Sequence, residues 1–130
     1  MKVLTALLIF LAVAQAKQNE AWEANPPEVR QWYRNLMQPD NPYQSCCGEA
    51  DAYWADSFEV TKDGLYIAIV TDPRDIQGRP TVTMGTKVVV PNHKLKYDDG
   101  NPTGHGVIFM RYDPENDSYY VLCYVVPGGV

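Results

Sequence analysis

The chain has 130 residues, with 11 basic and 16 acidic side chains and a formal net charge of −5 at neutral pH. That balance argues against a nucleic-acid surface, which needs a basic patch, and against an anionic membrane. It suits either a basic partner or ordinary solubility.

Met1 to Ala16 combine one cation at Lys2, an apolar run from Val3 to Ala14 and the small-x-small exit Ala14-Gln15-Ala16. These are the three parts of a secretory signal peptide. The run is shorter than the roughly 20 apolar residues a helix needs to cross a bilayer, so no membrane span is expected. No cysteine follows Ala16 to carry a lipid anchor. One mature domain is expected from Lys17 to Val130, with 114 residues and a net charge of −6. Its expected location is periplasmic or secreted, where disulfides persist.

Lys17 to Ala24 reads as a polar arm with a single Trp22. Asn25-Pro26-Pro27-Glu28 predicts a helix start, with Asn25 as cap and Pro26 at the first helical position. Val29, Trp32, Tyr33, Leu36 and Met37 then form one apolar stripe, and Pro39 to Pro42 end it. Ser45 to Asp51 reads as a tight or helical turn capped by Ser45. Asp63-Gly64 between two alternating runs predicts a two-residue hairpin joining Ser57–Lys62 to Leu65–Thr71. Pairing Lys62 with Leu65 puts Phe58, Val60, Ile67 and Ile69 on one face. Asp72 to Gly85 is a long loop with a short strand expected near Thr81–Met84. Thr86 to Pro91 reads as a buried strand and Asn92 to Gly104 as a polar connection. Gly106–Tyr112 and Ser118–Val126 flank Asp113–Asp117 as a second hairpin. Pairing Arg111 with Tyr119 sets Val107 opposite Cys123. The expected fold is α+β: one or two N-terminal helices packed on an antiparallel sheet of about five strands built from two hairpins.

Three cysteines permit one disulfide with one sulfur left over, or a bridge to another molecule. Adjacent Cys46 and Cys47 cannot both reach Cys123. The expected staple joins one of them to Cys123, with Cys47 preferred and Cys46 as the alternative, and is worth roughly 4 kcal/mol on the chain-entropy model. The competing readings are a nucleophilic thiol, a strained vicinal disulfide and a soft-metal pair. The pair lacks the spacing of zinc sites, so neither a metal nor a cofactor is expected. His105 lies between Gly104 and Gly106, and Glu49, Asp51 and Asp56 follow the cysteines. A bridge to Cys123 beside Val107 would draw Glu49, Asp51 and the spare sulfur toward His105. His105, Asp51 and Glu49 are therefore the expected ligand-binding neighbourhood, with no catalytic residue assigned.

The succession Trp32-Tyr33, Ser45-Cys46-Cys47 followed by Asp51, Val90-Pro91, Asn101-Pro102-Thr103-Gly104 and Leu122-Cys123-Tyr124 resembles a group of small exported bacterial proteins without an established activity. The resemblance spans nearly the whole mature chain. It implies a second disulfide in relatives, between the positions of Ala52 and Phe109, absent here as a unit. It also implies arginine in place of His105, which argues against a special role for that histidine.

The expected function is a small exported, disulfide-stabilised binding or structural protein, non-catalytic, with an unknown small ligand or protein as partner. One alternative is a hydrolase using Cys46 or Cys47 with His105. The other is an acidic inhibitor of a basic extracellular enzyme, presenting the Asp72–Gly85 loop.

Overall fold

The computed structural model describes residues 25–128. The expected export signal over 1–16, the new N-terminus at Lys17 and the polar arm to Ala24 lie outside them. Helix α1 (Pro27–Asn35) begins one residue later than expected. Pro26 takes the cap position and Pro27 the first turn, where a missing N–H leaves no bond unmade. The Asn25 amide does not cap; its Nδ2 donates to Glu49 Oε2 at 3.3 Å. Val29 and Tyr33 are buried on the helix, and Leu36 is buried just past its end. The helix ends at Asn35, earlier than the expected stop at Pro39: Leu36 is already extended and Met37, expected on the helical stripe, opens β1 (Met37–Gln38), which turns at Pro39-Asp40 into β2 (Asn41–Ser45).

Seven further strands follow among the described residues: β3 (Ala52–Trp54), β4 (Ser57–Val60), β5 (Tyr66–Ile69), β6 (Lys87–Val90), β7 (Leu95–Lys96), β8 (Val107–Asp113) and β9 (Ser118–Val125). They do not make the single five-stranded sheet that was expected. A central sheet runs β3-β8-β9-β7, with β7 parallel to β9 and the other pairs antiparallel. A second sheet runs β4-β5-β6, all antiparallel. Pro91, which has no N–H to continue a ladder, and the short helical turn Asn92–Lys94 carry the chain from the second sheet to the first. Thr81–Met84 forms no strand, although Val82 is buried.

Alternation along the central strands builds two cores. Ala52, Val107, Phe109, Cys123 and Val125 face α1, where Tyr33 meets Phe109 edge-on at 5.9 Å between centroids. Tyr53, Ile108, Met110, Val121 and Tyr124 face the second sheet, packing on Ala68, Val88 and Val90. The central sheet is thus sandwiched between a helix and a sheet, each side burying its own residues of a period-two pattern.

Both hairpins depart from the expected register. Glu59 pairs with Ile67 and Val60 with Tyr66, one residue off the Lys62–Leu65 pairing. The turn is longer by one residue: Thr61 N–H donates to the Leu65 carbonyl at 2.9 Å, and Gly64 takes a φ of +84°. Such a three-residue loop needs a left-handed residue at its last position, which glycine supplies. The slip exchanges faces, so that Phe58 and Val60 join Tyr66 and Ala68 while Ile67 and Ile69 face away. In the second hairpin Asp113 pairs with Ser118, and a bulge between Phe109 and Met110 inserts Leu122. Cys123 therefore sits opposite Phe109, two residues from its expected partner Val107.

Candidate functional site

The disulfide joins Cys46 to Cys123 across 77 residues, with Cα atoms 5.7 Å apart. This corrects the preference for Cys47. The Cys46 N–H continues the hairpin ladder to the Leu36 carbonyl at 2.9 Å, which directs its side chain into the α1 core. Cys47 then turns away at a φ of +81° and is a half-exposed free thiol. Its N–H donates to Ser45 Oγ at 2.9 Å and its Sγ to the Ser45 carbonyl at 3.5 Å.

The expected neighbourhood of His105, Asp51 and Glu49 is not assembled. Asp51 stands just before β3 and His105 is beside Asp56, just beyond it, five residues on and so up to about 16 Å away along extended backbone. Asp51 Oδ2 accepts from Arg111 Nε and Nη2, both at 3.2 Å. Glu49 is held by Asn25; burial pushes its carboxyl up, while the Asn25 amide and Arg30 pull the other way. The physical reason is the register. With Cys123 opposite Phe109, the stapled segment meets β8 near Arg111, away from His105.

His105 has different partners. Its Nδ1 lies 3.0 Å from Asp56 Oδ2, and Asp56 Oδ1 accepts the Gly106 N–H at 2.9 Å. The ring stacks on Trp54 at 3.8 Å and 9°. Gly106 is small for a structural reason: a Cβ there would strike the Ala55 carbonyl and Pro127. Trp54 also carries the Arg74 guanidinium 3.7 Å over its ring.

Arg74 belongs to a charge knot inside the 72–85 loop, built on the buried Asp72 and Arg79. Asp72 Oδ2 accepts from Arg74 Nη2 at 2.8 Å, Arg79 Nη1 at 3.0 Å and the Trp54 N–H at 3.1 Å. Burial by itself would raise the Asp72 carboxyl, but these hydrogen bonds outweigh it and hold the group well below the usual carboxylate range. Arg79 Nη1 also donates to the Ala52 carbonyl at 2.7 Å, and its guanidinium lies 4.3 Å over Tyr53. The knot fastens the 72–85 loop to β3, with Ile76 and Val82 buried beneath it. Its one legible signal was Asp72-Pro73-Arg74, an Asx turn in which Arg74 N–H donates to Asp72 Oδ1 at 3.0 Å.

Next to the knot opens a cleft of about 520 Å³. Buried Met110, Pro80 and three tyrosines, Tyr53, Tyr112 and Tyr119, line it, and the Asp51–Arg111 pair lies alongside. Tyr112 and Tyr119 meet edge-on at 5.6 Å, and Tyr112 is fixed by donating to Asp117 Oδ1 at 2.5 Å. The Tyr53 hydroxyl donates to the Pro80 carbonyl, and burial pushes that phenol up. A second cleft of about 560 Å³ lies between α1 and residues 96–102 and is more open to solvent. Two of its polar side chains are already engaged: Trp32 Nε1 donates to Asp98 at 2.8 Å, and Lys96 Nζ to the Met37 carbonyl at 2.6 Å. Among the described residues no group of three or more His, Cys, Asp or Glu side chains could hold a metal ion, and no helix is long and apolar enough to cross a membrane. Comparison with protein-family models, with curated proteins and with solved structures finds no match to this chain.

Proposed function

We propose that this chain is an exported, disulfide-stapled binding domain, non-catalytic, whose ligand seat is the tyrosine-walled cleft. The observation that carries the reading is the make-up of that cleft: an apolar floor at Met110, aromatic walls and one polar pair beside it. Its volume falls within the range of about 300–1,000 Å³ typical of ligand sites. The staple suits an oxidising compartment, in keeping with the export signal read from Met1–Ala16. The resemblance to small exported bacterial proteins belongs to the same reading. Ala52 and Phe109, the positions of the relatives' second bridge, are direct cross-strand partners here.

Neither alternative has an observation in its favour. Cys46 is bridged, Cys47 is turned toward Ser45, and His105 is tied to Asp56 at the other end of β3. The inhibitor reading needs a presented loop, whereas Asp72, Arg79, Ile76 and Val82 fasten this one inward.

Methyl NMR of Met110 and aromatic spectra of Tyr53 and Tyr119 during titration with para-cresol test the reading. Saturable shifts at these residues, lost in Tyr119→Ala, are expected. Absence of any shift up to the solubility limit of the probe would refute it.

A further inference from the structure

The second sheet ends on an exposed strand. β4 pairs only with β5, and all four of its residues are open to solvent. Two hydrogen bonds fix the phase of its backbone. Thr61 N–H donates to the Leu65 carbonyl in line with the β4–β5 ladder, and Val70 N–H to the Thr86 carbonyl in line with the β5–β6 ladder, each at 2.9 Å. Antiparallel alternation then turns Ser57 and Glu59 inward to β5, and the N–H and C=O of Phe58 and Val60 outward. Among the described residues no hydrogen bond takes up those outward groups. The side chains at the same two positions are apolar and uncovered: Phe58 is 38% exposed and Val60 53%. They carry the face that packs on the central sheet out beyond it, with Phe58 stacked on Tyr66 at 5.0 Å and the exposed Tyr97 meeting the Tyr66 hydroxyl.

An edge that offers free donors, free acceptors and apolar side chains is a template for another strand. The order of residues along it says which strand. Read against itself in the antiparallel sense, Asp56-Ser57-Phe58-Glu59-Val60-Thr61-Lys62 is complementary in charge and character. Phe58 meets Val60, Ser57 meets Thr61 and, just outside the strand, Asp56 meets Lys62. Only the centre repeats a charge, and there each Glu59 carries its own counter-ion, Lys87, at 2.9 Å. In this register Phe58 and Val60 of one copy exchange backbone hydrogen bonds with Val60 and Phe58 of the other, and a two-fold axis at Glu59 generates the whole contact. We propose that this edge seats a second copy of this chain, β4 pairing with β4 about Glu59. The product is one continuous six-stranded sheet, three strands from each copy. None of the residues lining the tyrosine-walled cleft lies on β4, so the dimer and the ligand seat are independent.

Sedimentation equilibrium and amide exchange on the exported chain, from dilute solution to about 1 mM, test the pairing. A concentration-dependent dimer is expected. The Phe58 and Val60 amides should exchange freely in the monomer and slowly in the dimer, while the Glu59 amide, bonded within the sheet, stays slow in both. Val60→Pro removes an outward N–H without touching the β4–β5 ladder and should abolish the dimer with the Glu59 amide still protected. Glu59→Gln relieves the one like-charge pair and should tighten the dimer severalfold; it decides the matter if Val60→Pro fails to fold. Glu28→Gln makes the same charge change on α1 and should leave the dimer unaltered. A chain monomeric up to about 1 mM, a dimer in which the Phe58 and Val60 amides still exchange freely, or equal effects of Glu59→Gln and Glu28→Gln would overturn the proposal.

Discussion

On the α1 side of the central sheet, Val29, Tyr33, Leu36 and Phe109 close around the Cys46–Cys123 bridge in an apolar cluster. On the opposite side the apolar core abuts a buried carboxylate, Asp72, whose partners are two arginines and a backbone amide. Both arrangements tie a distant segment to the same strands, and they fail in different ways. A covalent bond inside an apolar cluster is indifferent to moderate pH and vulnerable to reductant. A buried ion network is indifferent to reductant and vulnerable to protonation. The cleft adjoins the second arrangement, so conditions that loosen the Asp72 knot should reach Tyr53 and Pro80 before they reach α1.

The largest effect should come from Asp72→Ala, which leaves Arg79 buried without its carboxylate. Losing one partner of a buried pair costs about 3–5 kcal/mol, measurable by urea denaturation. The same group sets the acid limb of stability. Its folded-state ionisation is depressed, so its contribution is full above the unfolded value of about 3.9 and is lost as pH falls below that. Wild type should weaken below roughly pH 4, and Asp72→Asn should flatten that limb. A wild-type midpoint unchanged from pH 5 to pH 3 would show that the knot contributes little.

Cys123→Ala attacks the other side and should cost about 2–5 kcal/mol, as removal of a native disulfide does in small secreted domains. Mild reduction of wild type should reproduce this loss, while leaving the acid limb in place. If reduction also erased the acid limb, the two sides would be one cooperative unit and the comparison would fail.

The smallest effect concerns the spare sulfur. Cys47 holds a φ of +81°, a conformation that suits glycine. Cys47→Gly should leave the Cys46–Cys123 bridge intact by peptide mapping and raise stability by up to about 1 kcal/mol. A lost or rearranged bridge would show that Cys47 participates in the staple.

Much of the local structure was legible because it rests on local chemistry. Val29, Trp32 and Tyr33 mark a helix by their own spacing, although Leu36 and Met37, read into the same stripe, lie past its end. Asp63-Gly64 marks a hairpin wherever the hairpin goes. The candidate site was far less legible. Arg111 pairs with Asp51 across 60 residues, His105 meets Asp56 across 49, and Asp72 gathers the Trp54 amide across 18. No spacing rule connects such residues; a sheet register does.

Cys123 shows where the boundary lies. Alternation along its strand was enough to place it inward and within reach of one of the paired cysteines, because side-chain direction repeats every two residues. Its partner strand position moved by two, from Val107 to Phe109. A shift of two preserves the face, so the staple survived the error while the predicted cluster around His105 did not. In the first hairpin the shift was one residue, and there the faces themselves exchanged. By itself the sequence determined the start of the helix, the presence of a turn at Asp63-Gly64 and the inward face of Cys123, all set by contacts a few residues apart, and its cysteine count limited the staple to a bridge that spans 77 residues. Tertiary structure alone decided that Cys46 closes it, that the strands divide between separate sheets, and that β3 ends early enough to leave a cleft beside β8. Those outcomes depend on a bulge, a turn longer by one residue and a buried carboxylate, whose energies are set by neighbours that the chain brings in from far along its length.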